Sequence, residues 1–521
     1  MQLSLLEEST FPAKIISEEL GVCLSTVANW LKSGMLKGSL KAISKDSYLY
    51  FKKNYLGTQK LNKRANKLHI TSSLLEASLL TFENYEQSLP TSFRNFEGIF
   101  YTPAHIIENL CDQIETSFPT WSDLIVCDPC CGTGNFLAEA YKRGVPLNQL
   151  YGYDTDEKAI ELAKNRFFDL TGQYPQHLTC LDFIENPPSY IQFDLIMTNP
   201  PWGKKAYKNK TTQNSLELVL YNAFRCIKEE GKLAFVLPDS FATTQAFEDL
   251  RIWLLKQNIS YLADYGKAFS EIQNKAYGII FSPQNKQAVS NDFITLSNEK
   301  GRQALVKTDF QNMPKHIFNF SATSQMYTLY KHLLNHPHTT LVQKADWALG
   351  IVTGHNDRYI KNTQEEGYVP IVRGKDLKKE GCLVKCMPTA YLLNDLSSMQ
   401  QVASLNFYQS PKKIVYKFIT KKLCFYVDTS KSYVLNSANI LIPDCEVLGI
   451  NMEQLVFLFN TSLYTWLHQF MFDTHKILRS DLEQLPIYKD YFDTHLHYNE
   501  ASLYQFLNIK ENHDGTFSIK K

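Results

Sequence analysis

The chain reads VCDPCCGTGNFL from Val126 to Leu137. This stretch predicts a strand that ends near Asp128, a tight turn, and a helix that begins near Asn135. Glycine at the turn lets the backbone approach a ligand closely, and the helix N-terminus supplies N–H groups without helical partners. A glycine loop alone cradles a phosphate or simply makes a turn. It lacks the Gly-Lys-Ser/Thr ending of a P-loop, so nucleoside triphosphate hydrolysis is disfavoured.

On both sides of this stretch, from about residue 98 to residue 283, short apolar runs alternate with amphipathic segments. The apolar runs predict strands, and Glu157–Leu170 and Ser215–Lys228 predict two of the intervening helices. This layout is typical of an α/β fold with a doubly wound, mostly parallel sheet, which binds ligands at the carboxyl ends of its strands. The predicted strands are 124–127, 150–153, 178–181, 195–198, 233–237, 261–262 and 279–281.

Two acidic residues follow the next predicted strands. Asp154 ends the second strand, about twenty residues after the glycine turn, where a carboxylate can accept hydrogen bonds from both hydroxyls of a ribose. Asp182 and Phe183 end the third strand, where an acid and an aromatic ring can bind an adenine. Each acid could also be a solvated loop residue, and Asp156 is expected to cap the helix that follows it. The glycine turn, Asp154, and the pair Asp182 and Phe183 thus follow three successive strands, and this order indicates a cofactor that contains a nucleoside.

The fourth predicted strand, Phe193–Thr198, runs directly into Asn199, Pro200, Pro201 and Trp202. Two prolines after a buried strand end the sheet, fix the backbone and leave carbonyl oxygens without a sheet partner. A lone Pro-Pro pair is most simply a rigid turn. Because these four residues follow the fourth strand and a matching glycine loop, we interpret them as a catalytic tetrad.

The run from Asp128 to Leu137 is similar to the cofactor motif of amino-methylating DNA methyltransferases. Gly98–Pro103 resembles the segment that precedes this motif in the γ-class of adenine-N6 enzymes, where it closes over the methionine part of the cofactor. The resemblance implies S-adenosyl-L-methionine as cofactor and a Rossmann-like class I methyltransferase domain with seven strands. A nicotinamide dehydrogenase would share the glycine turn and the ribose acid, but not the tetrad. The implied cofactor contacts are Thr102, Pro103, Asp128, Gly132, Gly134, Asp154, Asp182 and Phe183.

The tetrad suits an exocyclic amine, which is a poor nucleophile because its lone pair is conjugated into the ring. The Asn199 side-chain oxygen and the Pro200 carbonyl can each accept one N–H, which aims the nitrogen lone pair at the methyl group without a dedicated base. Trp202 offers a face for a flipped base, and the resemblance gives Phe269 the same role on the other face. Asparagine at the first position favours adenine, since cytosine-N4 enzymes more often carry serine there.

Lysines follow the tetrad without an intervening acid. A charge run is usually a solvated face. In this position it can also hold the phosphates beside a flipped nucleotide, and we predict that role for Lys204 and Lys205. Lys208 and Lys210 continue the run.

Beyond residue 300 the strand–helix alternation ends, and a mixed α/β region is expected. Gly350–Asp357, Ile371–Asp376 and Leu485–Ile487 resemble landmarks of the TaqI-type C-terminal target-recognition domain. The stretch from Leu396 to Val427 has no acidic residue and interleaves lysines with aromatic residues. It suits a DNA-backbone surface, or else an ordinary basic strand pair. The residues concerned are Lys412, Lys413, Lys417, Lys421 and Lys422, with Phe418, Phe425 and Tyr426.

Three domains are therefore expected: a helical unit at residues 1–65, a methyltransferase domain at residues 66–300, and a target-recognition domain at residues 301–521. In the first unit, Ala13–Leu20 and a segment capped by Ser25 predict two helices around a turn at 21–23. The pair resembles a helix-turn-helix, whose second helix would enter a major groove. A helical pair that packs on the rest of the chain is an equal alternative.

The formal net charge is only +1, so any basic surface must be local. Eleven cysteines without a framework spacing suit reduced thiols, and Cys382 and Cys386 are interpreted as structural, so no metal is expected. The N-terminal residues lack the features of a signal peptide, and no apolar run is long enough to span a membrane. We therefore expect a cytoplasmic protein without membrane contact.

Together these patterns predict a site-specific adenine-N6 methyltransferase that acts on double-stranded DNA in a restriction–modification or related defence system. The sequence has no recognisable endonuclease constellation, which favours a separate restriction endonuclease as partner. Protein-glutamine methyltransferases also carry the tetrad, so a protein-glutamine or rRNA amino methyltransferase is the alternative. A non-catalytic DNA-binding module with a vestigial core is a third hypothesis. The long C-terminal region favours DNA, because glutamine methyltransferases are compact.

Overall fold

The computed structural model describes residues 10–20, 24–54, 81–82, 85, 101–118, 120–202, 214–269, 274–284 and 292–520. They form two compact units. The first holds the described residues up to Phe241 and those of Ile252–Arg302; the second holds Ala242–Arg251 and the residues from Gln303 onward. The predicted domain boundaries at residues 65 and 300 stay a prediction. No helix in these ranges is both long and apolar enough to cross a membrane.

A small group of elements at the start of the chain has its own core. The sequence predicts its two leading helices but not its antiparallel sheet, because strands of two or three residues give no periodic signal. Helix α2 begins at Leu24, so Ser25 lies in its first turn and not in the predicted cap position, and the predicted turn at 21–23 lies outside the described residues. The elements are β1 (Thr10–Phe11), α1 (Ala13–Glu19), α2 (Leu24–Lys32), β2 (Gly38–Ser39), β3 (Ala42–Ser44) and α3 (Lys45–Asn54).

A nine-stranded sheet forms the centre of the fold that follows. Its strands are β4 (Val126–Asp128), β5 (Leu150–Asp154), β6 (His177–Cys180), β7 (Phe193–Thr198), β8 (Ile227–Pro238), β9 (Asn258–Asp264), β10 (Ala276–Ser282), β11 (Phe293–Asn298) and β12 (Gly301–Val306). Their order in the sheet is β12-β11-β9-β10-β8-β7-β4-β5-β6. Strand β4 pairs in parallel with β5 on one side and β7 on the other, and β10 runs antiparallel to β8 and β9. The reversal of strand order at β4 is the switch point of a doubly wound sheet.

The predicted α/β class and all seven predicted strands are confirmed, but the sheet has two more strands. Strands β11 and β12 were missed because they are not continuous apolar runs. In β11 only Ile294 and Leu296 are buried, and in β12 only Leu305. Such half-buried strands at one side of a sheet give a weak signal.

Helices connect the strands. The predicted cap is confirmed, since the Asp156 side chain accepts the backbone N–H groups of Lys158 at 3.0 Å and Ala159 at 3.4 Å. The predicted helix from Ser215 ends earlier than expected, at Cys226, because strand β8 begins at the next residue. The helices are α4 (Ala104–Glu115), α5 (Asn135–Lys142), α6 (Glu157–Thr171), α7 (Ser215–Cys226), α8 (Ser240–Thr243) and α9 (Glu248–Leu254).

The second unit is a mixed α/β assembly, as predicted. Two four-stranded sheets have the orders β13-β22-β19-β20 and β14-β18-β15-β21. Its strands are β13 (Ala345–Leu349), β14 (Ile360–Lys361), β15 (Tyr368–Val372), β16 (Leu377–Glu380), β17 (Leu383–Cys386), β18 (Tyr391–Leu393), β19 (Lys413–Lys417), β20 (Phe425–Asp428), β21 (Tyr433–Val434), β22 (Ala438–Pro443), β23 (Ile509–Glu511) and β24 (Phe517–Ile519). Its helices are α10 (Lys307–Gln311), α11 (Ser324–Asn335), α12 (Asn356–Tyr359), α13 (Leu405–Gln409), α14 (Cys445–Leu448), α15 (Met452–Asn460), α16 (Ser462–Phe472), α17 (Arg479–Leu482), α18 (Lys489–Thr494) and α19 (Glu500–Phe506).

The lysine-rich stretch of this unit is only partly a surface. Lys413 is fully buried, and its Nζ lies 2.6 Å from an Asp428 carboxylate oxygen, which is equally buried. Phe425 is also buried. The interpretation as DNA-backbone residues is therefore wrong for Lys413 and Phe425, because inner strand β19 and its neighbour β20 turn them into the core. Lys421 and Lys422 are exposed.

We expect Lys413→Met to destabilise the protein by about 3–5 kcal/mol, because it leaves the Asp428 carboxylate buried without its cation. Lys385→Met is the matched control, because Lys385 pairs with Glu380 at the surface, where both side chains are about two-thirds exposed. An exposed pair contributes about 1 kcal/mol or less. Urea unfolding of the intact variants measures both changes. Equal effects of the two substitutions would contradict the buried pairing.

Candidate active site

The glycine loop joins β4 to α5 at the carboxyl edge of the sheet. Gly132 and Gly134 have φ angles of +51° and +83°, which explains the need for glycine at both positions. The Gly132 N–H donates to Asp154 Oδ2 at 2.8 Å, and the Cys131 N–H donates to the Tyr153 carbonyl at 2.8 Å. The loop is therefore fastened to the end of the neighbouring strand, and the predicted ribose acid lies directly beside it.

Asp154 is held from two sides. Its Oδ1 accepts the backbone N–H of Asp156 at 3.0 Å, while Oδ2 accepts that of Gly132. Burial nevertheless raises the pKa of the Asp154 carboxyl to about 6. The group is thus charged at neutral pH and takes up a proton in mildly acidic solution.

Asp128, at the end of β4, is the most deeply buried acid of the site. Burial raises the pKa of its carboxyl to about 7, although the Thr198 side chain and the Cys130 N–H both lower that pKa. Its Oδ1 accepts the Cys130 N–H at 3.1 Å, whereas Oδ2 has no hydrogen-bond partner among the described residues. A buried carboxylate oxygen of this kind calls for a donor from a ligand or for a proton.

The segment Tyr101–Pro103 lies against the glycine loop. A Cβ added to Gly132 would come within 3.0 Å of the Tyr101 ring, so a side chain at that position would crowd the ring. Thr102 is buried, and Pro103 directly precedes α4. The sequence prediction had missed Tyr101, although it stands inside the Gly98–Pro103 run. Gly98–Phe100 lie outside the described residues.

Strand β6 ends at Cys180, so Asp182 and Phe183 lie just beyond it. The Asp182 Oδ1 accepts the Ile184 N–H at 2.9 Å, and the Phe183 ring is buried with its centroid 5.7 Å from that of Tyr153. Asn222 of α7, another residue that the sequence prediction missed, donates to the carbonyls of Phe183 and Ile184 at 3.0 Å each. An asparagine on the buried face of an amphipathic helix was the available signal for it.

The tetrad leaves the sheet at the end of β7. Thr198, the last residue of that strand, is buried and lies opposite Phe235 of β8. Because β4 and β7 are parallel neighbours, Asn199 and the residues after it emerge at the same edge as the glycine loop. The sheet therefore brings the predicted cofactor motif and the predicted catalytic tetrad together.

Trp202 meets the second predicted base-binding ring. The ring centroids of Trp202 and Phe269 are 5.1 Å apart, and the ring planes are perpendicular. The segment before Phe269 is anchored, since the hydroxyls of Tyr261 and Tyr265 both donate to Asn109 Oδ1, at 2.9 and 2.8 Å. Sequence reasoning gave no signal for Asn109. The predicted phosphate-binding residues Lys204 and Lys205 lie outside the described residues, as do Lys208 and Lys210.

The residues around the glycine loop fit a cofactor that contains a nucleoside. The left-handed glycines remove side chains from the loop, Asp154 offers a carboxylate to hydroxyl donors, and Asp128 has a buried oxygen available to a donor. In the part of the chain that the structure describes, no group of three or more His, Cys, Asp or Glu side chains is placed to hold a metal ion.

Comparison with known proteins identifies the class. Residues 83–258 match the N-6 DNA Methylase family, and residues 369–487 match the TaqI-like C-terminal specificity domain. The Type II methyltransferase M.VspI of Vibrio sp. (strain 343) is 35% identical over 394 residues, which are 70% of this chain and 95% of the relative. The chain therefore belongs to the N6 DNA methylases that carry a TaqI-like specificity domain, and it is a DNA methyltransferase of the restriction–modification type.

Two further similarities are more distant. Modification methylase CviBIII of Paramecium bursaria Chlorella virus NC1A is 26% identical over 184 residues, 34% of this chain and 47% of the relative. The solved structure of the Type IIL restriction-modification enzyme MmeI in complex with DNA aligns with a TM-score of 0.49 at 13% identity, over 81% of this chain and 72% of that chain. Neither family segment includes the elements β1–α3.

The raised pKa of Asp128 has a cost for folding. An acid whose pKa is higher in the folded protein binds its proton more tightly there. The contribution of Asp128 to the free energy of unfolding therefore falls as pH rises from about 4 to about 7. Asp128→Asn keeps the Oδ1 acceptor and removes the buried charge. At pH 8 we expect this variant to be more stable than the wild type by about 2–4 kcal/mol, with no difference near pH 4.

Urea unfolding across this pH range measures the effect, with the exposed Asp123→Asn as control. A stability difference that does not change with pH would contradict a raised Asp128 pKa.

Proposed function

We propose that this DNA methyltransferase transfers a methyl group from S-adenosyl-L-methionine to N6 of an adenine flipped out of double-stranded DNA, at a specific site. The observation that carries the proposal is the emergence of Asn199-Pro200-Pro201-Trp202 beside the glycine loop, in a chain of the N-6 DNA Methylase family. The recognition sequence would be read by the region of the TaqI-like specificity domain. We keep the three domains, at residues 1–65, 66–300 and 301–521, as part of the proposal.

When bound, the cofactor supplies an electrophilic methyl group on a sulfonium centre. Asp154 would accept the ribose hydroxyls, the turn at Gly132 and Gly134 would let the cofactor approach the backbone, and Asp128 would receive a donor at its Oδ2. Thr102, Pro103, Asp182 and Phe183 would complete the pocket. The Phe183 ring is already packed against Tyr153, so we assign it a wall of the adenine pocket.

Asn199 and Pro200 would act on the acceptor amine. The Asn199 side-chain oxygen and the Pro200 carbonyl each accept one N–H of the amine, which turns its lone pair toward the methyl group. Pro201 keeps this turn rigid, because its ring fixes the backbone. Positioning and electrostatics carry the catalysis, and the methylated nitrogen would lose its surplus proton to water afterwards.

Trp202 and Phe269 would hold the flipped base. Their centroids are 5.1 Å apart in perpendicular contact, and a base stacked between two rings needs roughly 7 Å or more between them. One ring must therefore swing aside when the base enters. We assign phosphate contacts on the neighbouring strand to Lys204 and Lys205, and we propose a separate restriction endonuclease as the partner in the cell.

Asn199→Ala should lower kcat on DNA by about 100-fold or more, because one acceptor for the amine is lost, while cofactor affinity stays near the wild-type value. Asn199→Asp keeps an acceptor oxygen and should retain more activity than Asn199→Ala. Incubation with labelled cofactor and mixed plasmid DNA, followed by nucleoside analysis, measures the product. A parallel incubation with ribosomal extract tests the alternative substrates, and label in cytosine, protein or ribosomal RNA but not in adenine would sink the proposal.

Cofactor affinity should depend on pH through Asp154. Its pKa is raised to about 6, and hydroxyl donors bind the charged carboxylate, so affinity should weaken toward tenfold per unit as pH falls below about 6. Isothermal titration calorimetry between about pH 5 and pH 8 measures this. Asp154→Asn should bind more weakly at pH 8 and lose the part of the pH dependence near pH 6, so that only the part from Asp128 near pH 7 remains. Asp156→Asn, which keeps a helix-capping side chain, should retain both parts. A change of affinity near pH 6 that survives in Asp154→Asn would assign that proton to another group.

A further inference from the structure

The elements β1–α3 carry a surface that the methyltransfer reaction does not use. They precede both family-matched segments and have a core of their own. Helix α2 and the β2–β3 hairpin present polar and basic residues to solvent, and we call these the helix–hairpin surface: Ser25, Asn29, Lys32, Lys37 and Lys41, all exposed. The core beneath it consists of Ala13, Ile16, Leu20, Val27, Trp30, Leu36, Ile43, Tyr48 and Phe51.

Helix α2 has the pattern of a groove-reading helix. Val27 and Trp30 point into the core, so Ser25, Asn29 and Lys32, spaced four and three residues apart, share the outer face. An α-helix is about 10–12 Å across with its side chains, which fits a B-DNA major groove about 12 Å wide, and the nine residues of α2 extend about 14 Å along it. Serine and asparagine can hydrogen-bond base edges, and lysine can contact guanine or phosphate.

The hairpin lies beside the start of this helix. The Ala13 N–H donates to the Leu40 carbonyl at 2.8 Å, which ties the hairpin turn to the beginning of α1. Leu24, Ser25 and Ala28 of α2 line a cleft with Leu40 and Lys41 of the hairpin turn, and Pro12, Ala13 and Lys14 complete its wall. The helix and the hairpin can thus contact the groove and the flanking backbone of the same duplex.

The charge of these elements matches a polyanion. Residues 10–54 hold seven lysines against three acidic residues, a net charge of +4, whereas the whole chain carries only +1. No acidic residue occurs between Leu20 and Lys45, the span that contains α2 and the hairpin. The three acids are Glu18, Glu19 and Asp46.

We propose that the helix–hairpin surface is a second binding site for double-stranded DNA, with α2 in the major groove and the hairpin lysines on the flanking phosphates. This contact is separate from the target-base site and needs no methyl transfer. It would hold the enzyme on DNA outside the recognised sequence. Double-stranded RNA does not fit, because its major groove is too deep and narrow for side chains to read.

The test uses the full chain, a labelled random-sequence duplex, and fluorescence anisotropy over a range of NaCl concentrations. The triple variant Lys32→Gln, Lys37→Gln, Lys41→Gln should weaken binding on the order of fivefold or more at low salt. The slope of log Kd against log[NaCl] should shrink by about 1 for each lysine that no longer neutralises a phosphate. Because the target-base site is untouched, kcat at saturating DNA should stay at the wild-type value.

Lys52→Gln against Lys41→Gln gives a matched pair with the same change of net charge. Lys52 lies on α3 with its Nζ 4.6 Å from the Tyr48 ring centroid, and it does not line the cleft, so its variant should keep the wild-type slope. Equal slopes for wild type, the triple variant and both single variants would overturn the proposal and favour a packing role for α2. The proposal would also be overturned if the triple variant had a smaller salt slope than the wild type on an RNA duplex but the same salt slope on a DNA duplex. The salt slopes measure DNA binding alone, so they would test this proposal even if the wild type transferred no methyl group.

Discussion

The hydrogen bond from the Gly132 N–H to the Asp154 carboxylate is the constraint on which the site depends. It joins the turn after β4 to the end of β5, and the left-handed backbone at Gly132 lets the chain turn sharply after this link. The parallel Cys131-to-Tyr153 bond repeats the link one residue earlier. With the turn held, α5 begins at Asn135 and its N-terminus lies at the carboxyl edge of the sheet.

Burial of carboxylates at this edge costs stability that a binding site can use. Asp128 and Asp154 both have raised pKa values because burial withholds water from the charged form. Each keeps acceptor capacity toward the glycine loop, Asp128 through an oxygen without a partner among the described residues. A ligand that donates hydrogen bonds to these carboxylates would therefore offset part of the free-energy cost of burying them.

Much of the site followed from residue patterns, and the exceptions share a cause. The strand ends at Asp128, Asp154 and Thr198 were predicted, because apolar runs bounded by glycine and proline mark where buried parallel strands stop. Tyr101, Asn109 and Asn222 were missed, since each acts through a partner distant in sequence. Lys413 was misread as a surface residue, because composition does not reveal that β19 lies between β22 and β20.

The sequence by itself determined the class of fold, the glycine loop and the tetrad, since these depend on short-range chemistry: glycine where φ is positive, proline where a strand must stop, alternating runs where a sheet is doubly wound. Tertiary structure alone decided which side chains meet. The pairing of β4 with β7 sets Asn199 beside the loop, the perpendicular contact places Phe269 against Trp202, and the sheet order buries Lys413 with Asp428. The physical reason is that contacts between strands depend on the order and register of the whole sheet, which no local stretch of residues encodes.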